Sequence, residues 1–168
     1  MHLCTMNTAP RTLHTMAPHA RVWVYKSAMP FTSQQRETIL ARGHVFTTSW
    51  AAHGASLDAC VDVLHDHFVV IAVDEQQAMA SGCSIDKSIH LVQTFERELG
   101  LQLTDRMVVI YEKDGMIATC RVTEVEDLIK SGTLTDETTV FDDLVSTKAD
   151  LETRFRTQLG DTWMSRYL

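Results

Sequence analysis

The sequence predicts an α+β fold built on a βαββαβ ferredoxin-like core, with a mixed-sheet α/β fold as the alternative. Short runs of β-branched and aromatic residues are typical of strands, and longer segments carry apolar residues at helical spacing. Over residues 21–112 these patterns alternate as strand, helix, strand, strand, helix, strand. That order is typical of an antiparallel sheet with both helices on one face.

The first half of the core contains a strand, a helix and a hairpin. Residues 21–26 are rich in valine and aromatic residues, which favour a strand. Thr32 or Ser33 caps a helix whose inward positions recur at helical spacing, and Gly54 is its expected left-handed stop. Residues 57–64 alternate in polarity, and the continuous apolar run 68–73 predicts a central strand covered on both faces. The inward positions of the helix are Ile39, Gly43, Phe46 and Trp50.

The second half begins with a long helix and continues into a hairpin. Apolar residues from Ile85 to Leu99 step by three or four, and Gly100 follows where a terminating glycine belongs. Residues 106–112 and 116–122 are strands joined by an Asp114-Gly115 turn. A short helix, a strand over 138–141 and a terminal helix from about Thr147 complete the prediction. The terminal helix is expected to bury Leu151, Phe155 and Leu159.

Domain organisation follows from this order and from the composition of the first twenty residues. Residues 1–20 lack acidic side chains and contain Pro10 and Pro18, so we predict a disordered N-terminal extension. A biological start at Met16 is a simple account of that extension. Residues 21–168 are predicted to form a single α+β domain. Within it, 21–104 is the core and 105–168 adds the hairpin, helix, strand and terminal helix.

Composition excludes several classes of function. A net charge of −7 argues against nucleic acid as a partner, because phosphate binding needs clustered lysine and arginine. No apolar run approaches the roughly eighteen residues of a membrane span, so no membrane partner is expected. The four cysteines form no CxxC pair, which favours reduced thiols in the cytoplasm. They are Cys4, Cys60, Cys83 and Cys120.

Four stretches of the chain are distinctive, namely Trp50-Ala51-Ala52-His53-Gly54, Ala72-Val73-Asp74-Glu75, Ala80-Ser81-Gly82-Cys83-Ser84-Ile85-Asp86-Lys87-Ser88 and Val140-Phe141-Asp142-Asp143-Leu144-Val145-Ser146-Thr147-Lys148-Ala149. With these stretches, residues 21–168 resemble an uncharacterised bacterial family, typical of Bacteroidetes-like bacteria, whose members are often labelled transporter ATPases. The label implies a nucleotide site. A phosphate-binding loop needs two glycines ahead of its lysine, but Ser81 and Asp86 stand at those positions relative to Lys87. We therefore predict that the protein is not a P-loop ATPase, and we expect no cofactor.

A second resemblance covers residues 107–144. The segments 110–115, 128–134 and 138–141 are similar to bacterial GYF-type adaptor modules, which use a hairpin, a helix and a strand. Some of these modules bind proline-rich peptides. The Gly-Tyr-Phe signature is absent here, so the resemblance implies the local pattern of elements and leaves peptide binding open.

The segment 80–88 is the main candidate for chemistry, because it stands where a strand gives way to a helix. The start of a helix exposes backbone N–H donors and a partial positive charge, which favour a thiolate. Cys83 is therefore a candidate nucleophile, with His53 as its base and Lys87 stabilising negative charge. The alternative is that Cys83 fills a tight corner, that Asp86 caps the helix and that His53 caps helix-end carbonyls.

Two functions remain open from the sequence. The preferred one is a non-catalytic domain that binds a small anionic ligand or a protein partner at the same helix start. The alternative is a thiol-dependent enzyme that uses Cys83 and His53. For the binding function, the predicted ligand-binding residues are Trp50, Ser81, Gly82, Ser84, Asp86 and Ser88.

Three other clusters carry polar, acidic or aromatic side chains. His65-Asp66-His67 has the alternation of a metal site but no third ligand at suitable spacing, so a polar hairpin turn is preferred and no metal is predicted. Asp74 and Glu75 end the central strand, where solvation is the default and a hard-cation cluster with Asp86 is the alternative. The C-terminal tail carries Trp163, Arg166 and Tyr167, which we expect to pack on the domain rather than to offer a binding surface, although their late position would let the tail close over a neighbouring groove.

Overall fold

The computed structural model describes residues 10–168, and over this range the chain has the α+β class that the sequence predicts. Every strand and helix predicted between residues 21 and 141 is present, with a short β2–β3 hairpin in addition. In chain order the elements are β1 (Arg21–Lys26), α1 (Ser33–Ser49), β2 (Ala51–Ala52), β3 (Ala55–Ser56), β4 (Asp58–Leu64), β5 (Phe68–Asp74), α2 (Gly82–Leu99), β6 (Val108–Lys113), β7 (Met116–Arg121), α3 (Val125–Lys130), β8 (Thr139–Phe141), α4 (Lys148–Thr153) and β9 (Arg156–Gln158). Short 3₁₀ helices cover Leu13–Thr15, Val122–Glu124, Leu159–Asp161 and Trp163–Tyr167.

The first sheet has three antiparallel strands in the order β1–β5–β4. The central strand β5 is buried from Phe68 to Val73, as its continuous apolar run predicts. Both long helices pack on the face formed by the odd-numbered strand residues, where Ile39 of α1 and Phe95 of α2 join Ile71 in one core. This arrangement confirms the predicted position of both helices on one side of the sheet.

The ferredoxin-like prediction differs from the structure in its fourth strand. A four-stranded sheet of that type would place residues 106–112 beside β1, but β6 lies in a second sheet with the order β7–β6–β8–β9. The two-residue turn Asp114–Gly115, in which both residues have positive φ, pairs β6 with β7. The other side of β6 pairs with β8. Since both sides of β6 are occupied, no strand from residues 10–168 lies beside most of one edge of β1.

The two sheets pack face to face and share an apolar core. Phe68 of β5, Ile110 of β6 and Phe141 of β8 all belong to it. Three phenylalanine rings join the layers, because the ring centroid of Phe68 lies 5.2 Å from that of Phe141 and 4.9 Å from that of Phe155. A further apolar cluster on the other face of the second sheet holds α3 and the C-terminal 3₁₀ helices. The layers are therefore helices, sheet, sheet and helices.

Residues 10–20 correct the prediction of a disordered N-terminal extension. Leu13, Met16 and Ala20 are buried in the core between the sheets. Arg11 forms an ion pair with Asp58 of β4, which fixes the start of the segment. The prolines and missing acidic residues suggested an unstructured segment, but its apolar residues supply part of the core. Residues 1–9, the rest of the predicted extension, lie outside the described residues.

The predicted terminal helix is corrected as well. Helix α4 ends at Thr153, and the next residues form β9, which pairs with β8. Leu151, Phe155 and Leu159 are all buried as predicted, although only Leu151 lies in the helix. Cross-strand bonding favours the strand, because the Arg156 side chain donates two hydrogen bonds to Glu112 of β6, at 2.7 and 2.6 Å.

Gly43 of α1 marks a close approach between a helix and the first sheet. A Cβ atom at this position would lie 2.5 Å from the Cβ of Val61 in β4, so the helix or the strand would have to move. We expect Gly43→Ala to lower the free energy of unfolding by about 1–2 kcal/mol, because overpacking outweighs the better helix propensity of alanine. Urea unfolding measures this loss.

Gly82→Ala is the matched control for this prediction, because no atom lies within 4 Å of a Cβ there. We expect that control to leave the urea midpoint unchanged or to raise it slightly. Equal midpoints for the two variants would contradict the close approach of α1 to β4.

Candidate functional site

Helix α2 begins in the segment 80–88, as predicted, and its first turn is capped by the protein's own serines. Ser81 Oγ accepts a hydrogen bond from the Ser84 N–H at 3.2 Å, and Ser84 Oγ accepts one from the Ser81 N–H at 2.6 Å. This reciprocal pair satisfies two backbone donors. Gly82 and Asp86 lie on the exposed side of the helix. The two serines therefore act as caps.

Three of the predicted ligand-binding residues are buried, which corrects the prediction that they line a binding hollow. Trp50, Ser84 and Ser88 have exposed fractions of 2%, 1% and 2%. The Trp50 indole Nε1 donates to the Ser84 carbonyl at 2.9 Å, and Ser88 Oγ donates to the Ile85 carbonyl at 2.6 Å. These polar groups are bonded within the protein, and the Trp50–Ser84 bond joins the end of α1 to the first turn of α2.

The predicted catalytic residues Cys83, His53 and Lys87 are all exposed. His53 and Gly54 form the turn of the β2–β3 hairpin with φ values of 48° and 81°, so Gly54 serves this turn and does not end α1. Within the described part of the chain, no hydrogen bond joins Cys83 Sγ to the His53 ring. The thiol-dependent enzyme stays a prediction for which the geometry assembles no nucleophile–base pair.

Two other thiols lie in apolar surroundings. Burial, assisted by the nearby carboxylates of Asp62 and Asp58, raises the pKa of Cys60 to about 12. Burial and the carboxylate of Glu124 raise the pKa of Cys120 to about 11. A raised pKa keeps a thiol protonated at neutral pH, so neither side chain is suited to nucleophilic chemistry.

The His65-Asp66-His67 segment forms the preferred hairpin turn between β4 and β5. His65 and Asp66 both have positive φ, and they are the central residues of a β-turn that the His67 N–H closes on the Leu64 carbonyl at 3.1 Å. The buried His67 ring places Nδ1 2.8 Å from the Ser27 carbonyl, whereas the His65 ring packs 4.9 Å from Phe141. The two imidazoles thus have different structural partners.

The carboxylates at the end of β5 are also bonded within the protein. Asp74 Oδ1 lies 2.9 Å from His19 Nε2, and Glu75 Oε1 accepts the Ala80 N–H at 3.0 Å. Hydrogen bonds from the Gln76 N–H and from His19 lower the pKa of Asp74. Among residues 10–168, no group of three or more His, Cys, Asp or Glu side chains is placed to hold a metal ion.

A groove of about 640 Å³ opens beside the free edge of β1. This volume lies in the range of roughly 300–1,000 Å³ that is typical of small-molecule sites. Large apolar side chains are unusually exposed here, with fractions of 40% for Met107, 69% for Leu144 and 37% for Trp163. Clustered exposed apolar groups often mark interaction sites. The walls are residues 22–26, 103–107 and 143–145, with Val122, Trp163 and Arg166.

Strand β1 presents unpaired backbone groups to this groove. The Val22 N–H donates to the Ser146 carbonyl at 2.9 Å on the side away from β5, and the Ser27 N–H donates to His67 on the β5 side. N–H groups alternate between the two sides of a strand, so the N–H and C=O of Val24 point the same way as those of Val22. Neither group of Val24 has a hydrogen-bond partner among the described residues.

Both carboxylates that line the groove are already paired with cations. Asp143 Oδ2 lies 2.9 Å from the amine of Lys26, whose side chain is largely buried. Asp105 accepts a hydrogen bond from Arg121, and this bond lowers the pKa of the Asp105 carboxyl. The acidic groups of the groove are therefore neutralised locally.

Two arginines give the groove an excess of positive charge. Arg106 and Arg166 line it, and neither forms an ion pair with a carboxylate in the described part of the chain. The guanidinium of Arg166 lies 5.0 Å from the ring centroid of Trp163, so an aromatic face and a cation are presented together. Such a surface suits a ligand that combines an apolar body with a carboxylate.

The groove has no contiguous sequence motif, since its walls come from segments separated by more than a hundred residues of chain. The sequence favours packing for Trp163 and Arg166 over a binding surface, and it indicates only that the C-terminal tail is placed to close over a neighbouring groove. In the structure both residues line the groove.

No family model matches the chain, and no curated protein or solved structure is significantly similar to it. The two family resemblances drawn from the sequence therefore stay predictions. The hairpin, helix and strand expected from the GYF-type resemblance are present as β6–β7, α3 and β8. None of the helices over residues 10–168 combines the length and the apolar character needed to cross a membrane.

Proposed function

We propose that this protein is a non-catalytic binding domain whose ligand site is the groove beside β1. The observation that carries the proposal is the combination, in one cavity, of exposed apolar side chains with two arginines that have no carboxylate partner. The ligand is an anionic group on an apolar body, either a small molecule or a segment of a partner. The proposed site therefore lies beside β1, whereas the sequence predicted it at the start of α2.

The composition of the groove supports binding over catalysis. Over residues 10–168 its lining includes no cysteine, histidine or serine, which are common nucleophiles and bases in acyl-transfer and hydrolytic sites. Its two aspartates are held in ion pairs with Lys26 and Arg121. The protein has a net charge of −7, so most of its surface repels anions. A locally cationic groove is therefore the favoured place for an anionic ligand to bind.

The tryptophan indoles provide a direct test. Trp23 and Trp163 line the groove, whereas Trp50 is buried and bonded to Ser84. We expect titration with benzoate or phenylacetate to shift the indole N–H NMR signals of Trp23 and Trp163 and to leave that of Trp50 in place. The neutral amide of each acid should bind about tenfold more weakly, since charge-assisted bonds to arginine are lost.

A charge-matched pair of variants serves as the control. The double variant Arg106→Gln and Arg166→Gln should lose about tenfold in carboxylate affinity. The double variant Lys87→Gln and Lys113→Gln removes the same charge from exposed positions outside the groove and should bind as the wild type does. A shift confined to Trp50, or equal losses in both variants, would contradict the proposed site.

We further propose that the protein works in a reducing compartment such as the cytoplasm. Cys60, Cys83 and Cys120 are free thiols in the structure. Free cysteines without disulfides are typical of proteins in reducing compartments, which supports this placement.

A further inference from the structure

The free edge of β1 has the features of a site for strand addition. A strand at a sheet edge exposes a row of backbone donors and acceptors, and an added chain can pair with them. The N–H and C=O of Val24 face the groove without a partner in the described residues. Ser146 and Thr147 pair with only the first residues of β1, through the Val22 N–H and the Arg21↔Thr147 bridge. Beyond that point no backbone group of residues 10–168 pairs with this edge, and the contact there is the side-chain ion pair of Lys26 with Asp143.

The surroundings of this edge suit an extended chain. In the predicted βαββαβ core a fourth strand would lie beside β1, but β6 is in the second sheet. The place of that strand is the groove, with Leu144 exposed on one wall and Met107 on another. In an added strand alternate side chains point to opposite sides, so apolar residues at alternate positions would meet these walls.

Charge decides which kind of chain fits. A second copy of this protein would bring its own Arg106 and Arg166 against the same residues, and like charges repel. A segment that carries an aspartate or glutamate would instead supply the carboxylate that these arginines lack. The occupant favoured by the groove is therefore an acidic segment of a different protein.

We propose that the groove binds an extended acidic peptide segment, which adds to the first sheet as a fourth strand paired with Val24 of β1. This inference rests on the proposed function, because it names the class of ligand for the same groove. Backbone hydrogen bonds to Val24 provide affinity, and the arginines select the acidic residue. Alternate apolar side chains of the peptide contact the exposed walls.

A displayed library of random heptapeptides, selected on the full chain, tests this proposal. We expect the selected peptides to carry Asp or Glu at one fixed position and apolar residues at alternate positions. Synthetic versions with Gln in place of the acidic residue should bind about tenfold more weakly. Selected peptides without an acidic residue would overturn the proposal.

Proline variants test the strand pairing itself. Val24→Pro removes an N–H that points away from β5, so it should abolish peptide binding while leaving the β1–β5 ladder intact. Thr119→Pro is the matched control, because Thr119 lies on the open edge of β7 with its N–H also pointing outward. That control should bind as the wild type does, and equal binding by both variants would overturn the proposal.

Amide hydrogen exchange on the wild-type protein keeps the proposal testable if Val24→Pro fails to fold. A bound peptide should slow exchange of the Val24 amide and leave the Thr119 amide unchanged. Slowing without peptide at high protein concentration would identify a second copy as the occupant and overturn the proposal. If benzoate shifts the Trp23 and Trp163 signals but no peptide is selected, strand addition fails and the proposed function stands. If neither benzoate nor any peptide binds, both the strand-addition proposal and the proposed function fail.

Discussion

Phe68→Ala is expected to lower the free energy of unfolding by about 3–5 kcal/mol, as measured by urea denaturation. The Phe68 side chain is fully buried in β5 and contacts the rings of Phe141 and Phe155. Its removal leaves a cavity between the two sheets as well as losing the transfer free energy of the ring. This loss is a large part of the roughly 5–15 kcal/mol that stabilises a typical domain.

Two further variants show whether the loss comes from packing between the sheets. Phe68→Leu keeps most of the volume and should cost much less than the alanine change. A double-mutant cycle with Phe141→Ala should give a coupling energy of about 0.5–1.5 kcal/mol, because the two rings are in contact. Additive effects of the two substitutions would mean that the sheets do not pack through these rings.

Met16→Ala is expected to lower the free energy of unfolding by about 2–5 kcal/mol. Met16 is only 3% exposed and lies in the core between the sheets, together with Leu13. Lys148 of α4 holds the neighbouring backbone in place, because its amine donates a hydrogen bond to the His14 carbonyl at 3.3 Å. The same amine lies 3.1 Å from the carboxylate of Glu152. Chemical denaturation followed by circular dichroism measures the change.

Met29→Ala makes the same chemical change at a side chain that is 72% exposed. We expect it to change stability by no more than about 0.5 kcal/mol. If the Met16 and Met29 variants unfold at the same urea concentration, residues 10–20 do not contribute to the core.

Local structure could be predicted from the sequence, but the pairing and packing of distant segments could not. Residues 68–73 and the helix ending at Gly100 were predictable because burial on both faces and one-sided helical periodicity leave clear patterns. The sheet that β6 joins depends on long-range pairing, which local propensity does not encode. Leu151, Phe155 and Leu159 show the same limit, because i, i+4 spacing predicts one continuous helix although only Leu151 lies in α4.

The candidate site shows this limit more strongly. The start of α2 in the segment 80–88 was predicted from the sequence, but the residue that caps it was not, because Ser81 was predicted to bind a ligand and Asp86 was the expected cap. The burial of Trp50 against Ser84 required knowledge of how α1 meets α2. The groove depends on residues as far apart as Val24 and Arg166, so it exists only once the fold is complete.

The packed pair of sheets has a consequence for how the chain can be divided. The boundary between residues 104 and 105 separates the two sheets along the sequence, yet each sheet covers the inner face of the other. Cutting there would leave Phe68 and Phe141 in contact with water on separate fragments. Each fragment would keep the apolar cluster on its outer face but lose the shared core between the sheets, so we expect the two halves of the chain to unfold as one cooperative unit.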